Sequence, residues 1–385
     1  MAFSGEPKAT AADMDDSVQT VGIVGTGVMG RSIALRVLQS GLEVVLFDSD
    51  ADAASVASEW VGSRTSASPM IASSMTDLAD CDVVIEAVVE NRAVKRRVLG
   101  NLAAANPSAL IATNTSSLSI SELAEAVGDA GRFCGLHFCH PIDQCPLVEV
   151  VPSPATEERT LRRAEAFVQR LGMQLLLTRD VPGFAVNRLL LPYLDAAVDL
   201  VLGGVDWLRI EKSAVDFGMR LGPLSQMDEI GIDVILRAAA AFHRGNPVIP
   251  PQSELLLAMY QAGRIGRKAG RGFLDYANEP PCPDPSAVAL AAEHRNARID
   301  CPDKEVTLRL FLPMLGAACG LIERQLVPDA GGVRLALVAG LACRRQAADL
   351  PGWGRELGLP TIEQSSLRLG LPAFEPTSLE RLLHD

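Results

Sequence analysis

The chain has 385 residues, 48% of them hydrophobic, and carries 35 Lys plus Arg against 47 Asp plus Glu, a formal charge of -12. That length exceeds one core and predicts two or three domains. The acidic balance argues against nucleic acid or an anionic membrane as the main partner, and no apolar run is expected to reach the length of a membrane span.

Residues 1–19, MAFSGEPKATAADMDDSVQ, lack a basic start followed by an apolar stretch. They read as a flexible polar tail without a signal peptide. Residues 20–48 read TVGIVGTGVMGRSIALRVLQSGLEVVLFD. An apolar strand runs into Gly25-Thr26-Gly27-Val28-Met29-Gly30, a helical stretch follows, and a second strand closes on Asp48. Gly25 suits the tight turn, Gly27 lets the backbone approach a pyrophosphate, and Gly30 lets helix pack on strand. Val28 and Met29 open the helix, where free N–H groups receive the phosphates. Asp48, with Ser49 and Asp50 next and no Arg nearby, favours NAD over NADP, because it would bind the ribose hydroxyls and repel a 2′-phosphate.

Further strands are expected at 83–89, 109–112, 134–138, 147–151 and 174–177, with helices at 51–62, 92–104 and 157–171. This alternation predicts a doubly wound α/β sheet over 20–181. After Asp180 helix formers dominate, and Val181-Pro182-Gly183 marks a boundary. A helical domain is expected over 182–278, then a Pro-rich linker over 279–302. Beyond it the chain repeats itself: residues 188–200, RLLLPYLDAAVDL, line up with 309–321, RLFLPMLGAACGL, and Pro192 and Pro313 fall at the same place. Residues 303–385 are therefore expected to be a second, shortened copy of the helical domain. The eight cysteines contain no CxxC pair. Buried reduced thiols are expected of them and no metal site, although ligation or disulfides stay open for Cys134, Cys139 and Cys145. A cytoplasmic location fits.

Downstream of the glycine motif come Asn114-Thr-Ser116-Ser-Leu, Gly135-Leu-His137-Phe-Cys-His140-Pro, Pro146-Leu-Val-Glu149-Val and Pro182-Gly-Phe-Ala-Val-Asn187-Arg-Leu-Leu. In order and spacing these resemble the L-3-hydroxyacyl-CoA dehydrogenase family, over Val21 to about Tyr276. The repeat extends the likeness to the two-copy form found in the bacterial fatty-oxidation multienzyme protein. The resemblance implies a Rossmann-like NAD-binding domain, a helical domain and its second copy. It also implies NAD-dependent oxidation of the 3-hydroxyl of a 3-hydroxyacyl thioester. It places the catalytic base on His137, its orienting carboxylate on Glu149, and the substrate-hydroxyl partners on Ser116 and Asn187. Around the cofactor it places Glu90, Lys95, Asn114, Ser116, His140 and Lys268. The roles suit the residue types: an alcohol must lose a proton while its carbon gives up hydride. An imidazole held by a carboxylate can accept that proton.

Three departures stand out. His140 replaces the family's Asn before Pro, beside Cys139 in place of Phe. The stretch 48–82 is too short for the helical hairpin through which the family contacts coenzyme A. Leu308 stands opposite Asn187, so the second copy lacks that residue and is expected to be structural, replacing a homodimer partner. The thioester carrier is therefore CoA by family default, or a carrier protein such as those bearing hydroxyacyl or glyceryl units in polyketide extender synthesis. A non-catalytic NAD-binding protein is the remaining alternative.

Overall fold

The computed structural model describes residues 18–245, 253–295, 299, 301–371 and 382, so most of the expected tail lies outside the described residues. The chain divides into two compact units, Met1–Phe184 and Ala185–Asp385.

The first unit alternates strands and helices: β1 Thr20–Val24, α1 Val28–Gln39, β2 Glu43–Phe47, α2 Ala51–Gly62, β3 Met70–Ile71, β4 Val83–Glu86, α3 Arg92–Ala105, β5 Leu110–Thr113 and α4 Ile120–Ala124. It closes with β6 Phe133–Phe138, β7 Leu147–Pro152, α5 Glu158–Arg170 and β8 Gln174–Leu177. One sheet holds all of these strands in the order β3-β2-β1-β4-β5-β6-β7-β8. Helices cover both faces, so the inner strands are mainly apolar rather than alternating; β4 and β5 are buried at every residue, their closing Glu86 and Thr113 included. The helices show the complementary pattern: α5 buries Thr160, Ala164, Phe167 and Val168, one stripe at helical spacing. Caps fix their starts, since the Asp50 side chain accepts from Asp52 and Ala53 N–H groups, and Asn91 from that of Val94.

Two features go beyond the sequence expectation. The sheet is not wholly parallel: β6 and β7 pair antiparallel, with His137 opposite Glu149. Residues 139–146 joining them are too few for a helical crossover, and only an antiparallel return is open to so short a connection. The two-residue β3 was also not anticipated. It pairs with β2 at the sheet edge, and Met70 and Ile71 are exposed, so it carries no inward-facing signature.

The second unit is helical: α6 Val186–Leu202, α7 Trp207–Phe217, α8 Pro223–Ile230, α9 Ile232–Gly245 and α10 Glu254–Gln261. A small ribbon of β9 Leu274–Asp275 and β10 Cys282–Pro283 follows, then α11 Pro285–Glu293, α12 Asp303–Glu323, α13 Ala330–Leu335, α14 Arg345–Ala348, α15 Leu350–Leu357 and α16 Leu359–Leu369. The Pro-rich segment expected as a linker thus carries a strand and a helix. Pro285 opens α11, and Asp284 caps it by accepting from Ser286 and Ala287.

The core of this unit is the packing of α6 on α12. Pro192 and Pro313 lie inside these helices, and each withholds a donor from the carbonyl four residues earlier, on Arg188 and Arg309. The charges give the direction of packing. Arg309 near the start of α12 acts on Asp199 near the end of α6, while Arg324, just past α12, acts on Arg188 near the start of α6. The two helices are therefore antiparallel. The Tyr193 ring lies 5.3 Å from that of Phe311, which stacks on Phe217 at 3.9 Å, and Phe217 meets Trp353 edge-on at 5.1 Å. Ser213 and Thr307 bond hydroxyl to hydroxyl at 2.9 Å, and Arg209 donates to Asp303 and to the Cys301 carbonyl. Residues beyond 300 are thus built into the same core as those before 276. One sequence expectation changes here: α12 is long and apolar enough, by length and composition, to cross a membrane (mean hydropathy 1.5), yet 61% of that window is buried within this fold.

Cutting the chain after Tyr276 removes α12, which packs along α6, and uncovers apolar side chains of α6, Tyr193 against Phe311 among them. Contiguous apolar surface of that kind is rarely tolerated by soluble monomers, so the truncated protein is expected to aggregate or to dimerise. Size-exclusion chromatography with light scattering reads this, and a monodisperse monomer of unchanged melting temperature would contradict it.

Candidate active site

The glycine loop between β1 and α1 has the geometry its sequence requires. Gly25 sits at φ +96°, where a Cβ would lie 2.6 Å from the Ala87 carbonyl oxygen, and a Cβ on Gly30 would fall 1.8 Å from that of Gly25. A Cβ on Gly27 meets nothing within 4 Å. The loop is thus closed on its inner side and open where a pyrophosphate approaches. Helix α1 has no side-chain cap and no acidic residue in its first turn. Its first internal bond runs from Arg31 N–H to the Gly27 carbonyl, so the N–H groups of Val28, Met29 and Gly30 are those a helix leaves for an anion. Val28 is exposed and Met29 packs on the core.

Asp48, just past β2, accepts from Thr26 N–H at 2.8 Å, Thr26 Oγ1 at 2.9 Å and Asp50 N–H at 3.1 Å. Burial opposes its ionisation, but these bonds outweigh it and hold its pKa below the usual carboxylate value. Ser49 Oγ is a fourth, longer donor to Oδ1 at 3.5 Å, so the carboxylate's roughly four lone-pair directions are engaged and a ribose hydroxyl would replace that weakest donor. The donor set and the open backbone fit a dinucleotide without a 2′-phosphate.

Across β4 and β5, a polar cluster ties the cofactor side of the sheet to the Asn114–Ser117 loop. Glu86, with no exposed area, accepts from Lys95 Nζ at 2.7 Å, Val88 N–H at 2.7 Å and Thr113 Oγ1 at 2.6 Å. Lys95, 1% exposed, also reaches the Val88 carbonyl at 3.3 Å and Glu90 at 3.4 Å. Glu90 in turn accepts from Thr115 Oγ1 at 2.5 Å, Ser117 Oγ at 2.7 Å and Ser116 N–H at 3.3 Å. Burial works against its charge, yet Lys95 and the two hydroxyls lower its pKa overall. Glu90 and Lys95, expected beside the cofactor, are thus also anchors of the loop that carries Ser116. Sequence reading missed Glu86; a carboxylate closing the apolar run Val83–Glu86, nine residues before a lysine on a helix, was the available signal. It also missed Asp180, which accepts from Ser119 Oγ and the N–H groups of Ile120 and Ser121 at 2.8–2.9 Å and pins the far end of the same loop.

His137 and Glu149 are cross-strand partners on β6 and β7, and His137 Nδ1 lies 2.7 Å from Glu149 Oε2. Glu149 is wholly buried and His137 is 8% exposed. With Nδ1–H given to the carboxylate, Nε2 is left with the lone pair. The Phe184 ring stands 5.8 Å from the imidazole. Asn114 Oδ1 accepts from Phe138 N–H at 2.9 Å, linking the ends of β5 and β6. His140 is exposed at the start of the β6–β7 connection. Of the remaining expected residues, Asn187 lies in the first turn of α6 and Lys268 in the turn Arg267–Ala269, both in the second unit. Lys268 pairs with Asp233 on α9. Between β2 and β4 stand only α2, β3 and the short turn Met75–Leu78, so the helical hairpin absent from the sequence is absent from this connection too.

A dinucleotide cradle on a twisted sheet, with a carboxylate-held imidazole on neighbouring strands, defines an NAD-linked oxidoreductase. Residues 20–181 match the 3-hydroxyacyl-CoA dehydrogenase NAD binding domain, and 183–276 match the C-terminal domain of the same family. The chain belongs to the 3-hydroxyacyl-CoA dehydrogenase family, and its cofactor is NAD. It is 35% identical over 287 residues to a 3-hydroxybutyryl-CoA dehydrogenase of Bradyrhizobium diazoefficiens, covering 69% of this chain and 98% of that one. It is 31% identical to the fatty acid oxidation complex subunit alpha of Idiomarina loihiensis over 88% of its own length, but spans only 51% of that protein. Among solved structures, an (S)-3-hydroxybutyryl-CoA dehydrogenase from Ralstonia eutropha superposes at TM-score 0.63 with 32% identity, over 68% of this chain and all of that one (100%). A 3-hydroxybutyryl-CoA dehydrogenase from Escherichia coli K12 superposes at TM-score 0.77 over 95% of this chain and 98% of that one; at 21% identity this speaks for the fold alone.

The glycines separate two effects. Gly30→Ala is expected to lower the melting temperature and abolish NADH binding, because its Cβ meets backbone. Gly27→Ala is expected to fold normally yet weaken NADH by at least about tenfold, roughly 1.4 kcal/mol. Asp48→Ala is expected to erode a strong preference for NADH over NADPH. Calorimetric titration with both cofactors checks all three, and equal affinity of the unaltered protein for NADH and NADPH would contradict the role given to Asp48.

Proposed function

We propose that the protein oxidises the 3-hydroxyl of a 3-hydroxyacyl thioester to the 3-oxo form, with the reverse reduction available through the same groups. The observation that carries this reading is the His137 Nδ1 to Glu149 Oε2 contact of 2.7 Å between register partners. NAD, when bound, supplies the hydride acceptor. His137 Nε2 takes the hydroxyl proton as the carbon loses hydride, and Glu149 stabilises the imidazolium and keeps the tautomer that leaves Nε2 free. Ser116, held by the Glu90 cluster, and Asn187 are assigned to the substrate oxygen as hydrogen-bond donors. Glu90, Lys95, Asn114, His140 and Lys268 are assigned to the cofactor side. For Lys95 the contribution runs through the loop it holds, since its ammonium is buried.

The carrier of the acyl group is a separate question. Relatives act on CoA thioesters by name, and CoA is the leading reading. The short connection from β2 to β4 favours a second one, a carrier-protein thioester, because the hairpin expected to contact CoA is missing. The repeat is read as an internal stand-in for a partner subunit, supported by the antiparallel α6–α12 pair with a proline at the same place in each. Seven of the eight cysteines are buried free thiols, which suits a reducing compartment such as the cytoplasm.

Turnover is to be followed as NADH formation with 3-hydroxybutyryl thioesters on CoA and on carrier protein. His137→Ala is expected to lose roughly 10²- to 10⁴-fold in turnover, the range of a positioned general base, with NADH affinity nearly unchanged. Glu149→Gln is expected to be impaired through the wrong tautomer. Near-normal turnover in His137→Ala would remove the mechanism. No turnover on any hydroxyacyl thioester, with NADH still bound, would favour a non-catalytic NAD-binding protein.

A further inference from the structure

The reaction uses His137 and Glu149 but has no use for the thiol beside them. Cys139 lies two residues beyond His137 on one extended run, so their side chains leave the sheet on the same face. Its N–H donates to the Leu147 carbonyl at 3.1 Å, which carries the β6–β7 ladder past the last residue of β6. Glu149 faces His137 from the other strand. As a result an imidazole nitrogen, a sulfur and a carboxylate oxygen lie within 4.8 Å of one another, and all three residues are buried.

That donor set is chemically selective. Zinc takes tetrahedral sites built from His nitrogen, Cys sulfur and carboxylate oxygen, at bond lengths of about 2.0–2.3 Å, which puts neighbouring donors roughly 3.3–3.8 Å apart. The trio spans at most 4.8 Å, with Nδ1 and Oε2 at 2.7 Å, so side-chain shifts of about 1 Å would bring the donors to that spacing. Calcium and magnesium prefer all-oxygen shells, so this trio selects against them. Three protein donors leave a fourth position for water or a substrate oxygen.

We propose that His137, Cys139 and Glu149 form a binding site for a thiophilic divalent cation, zinc fitting best, whose occupancy reversibly stops the enzyme. Inhibition rests on the catalytic reading of the His–Glu pair: a cation bridging Glu149 and His137 Nδ1, now 2.7 Å apart, takes the place of the Nδ1 proton, which moves to Nε2 and removes the lone pair that proton transfer needs. The balance is simple. The thiol gives up its proton to solvent, the imidazole proton passes from Nδ1 to Nε2, sulfur, Nδ1 and the carboxylate oxygen each donate a pair to the metal, and nothing is oxidised or reduced. Without a cation the thiol is inert, because burial, followed by the charges of Glu149 and Cys145, raises its pKa well above the ordinary value. A bound cation inverts that electrostatic environment. Cys139 thereby couples turnover to free zinc at a position where the family pattern has Phe.

The test uses the full chain, reduced and stripped with a chelator. Cobalt(II) titration is expected to give a near-ultraviolet thiolate-to-cobalt band saturating at one equivalent, displaced by zinc. Zinc is expected to inhibit NADH-linked turnover, and chelator to restore it. Cys139→Ser and, as a second variant, Cys139→Phe are expected to lose the band and to need at least roughly 100-fold more zinc for inhibition, the upper end of what losing even an outer-shell partner costs a metal site. Cys145→Ser and Cys282→Ser are expected to keep both. The proposal is overturned if the wild-type protein gives no band, if the band follows Cys282 or Cys145, or if the Cys139 variants are inhibited like wild type. Because the cobalt band does not depend on turnover, it separates failure of the metal site from failure of the dehydrogenase reading.

Discussion

The buried ion pair of Glu86 and Lys95 is the interaction on which the cofactor side of the fold depends. Neither group reaches solvent, so each was stripped of water and each needs the other together with the surrounding donors. Removing one member of such a pair costs about 3–5 kcal/mol, because it leaves an uncompensated charge inside. The pair sits at the end of β4, beside the glycine turn of β1. Through Thr113 it grips β5, through Val88 the crevice loop, and through Lys95 it holds Glu90. Glu90 then orders the hydroxyls and backbone of Thr115, Ser116 and Ser117. One desolvated charge pair thereby transmits the position of the central strands to the loop that bears Ser116.

The second constraint is a register. His137 and Glu149 meet because β6 and β7 return antiparallel and pair residue for residue. A slip of one residue would send one of the two side chains to the opposite face. A wholly parallel sheet would have put a helix between these strands and separated the pair. The departure from parallel topology is therefore what brings His137 and Glu149 together, and the same antiparallel return brings Cys139 to the same face.

Much of this was legible in the sequence, and the exceptions have physical causes. The glycine loop and α2 fall where the residue pattern puts them, because glycine conformation and an Asp cap are local rules. β8 is read to the residue, and β4, β5 and β7 shift only at their ends. Pairing direction was not legible, since β6 and β7 are buried almost throughout and only the shortness of residues 139–146 carried the information. β10 and α11 were hidden by prolines that read as a linker, although proline at the first turn also starts a helix. His137 and Glu149 were found through motif order, whereas Glu86 looked like the tail of an apolar strand. The triangle with Cys139 depends on cross-strand distance, which no spacing along the chain encodes.

The pairing of α6 with α12 also sets a timetable. These helices are roughly a hundred residues apart, which at ribosomal rates of 5–20 residues per second is on the order of 5–20 s. Through that interval α6 has emerged with a leucine-rich face and the helix that covers it has not been made. The helix that covers this face arrives on the same chain after a fixed delay, and the cost is a nascent chain that must be shielded while it waits.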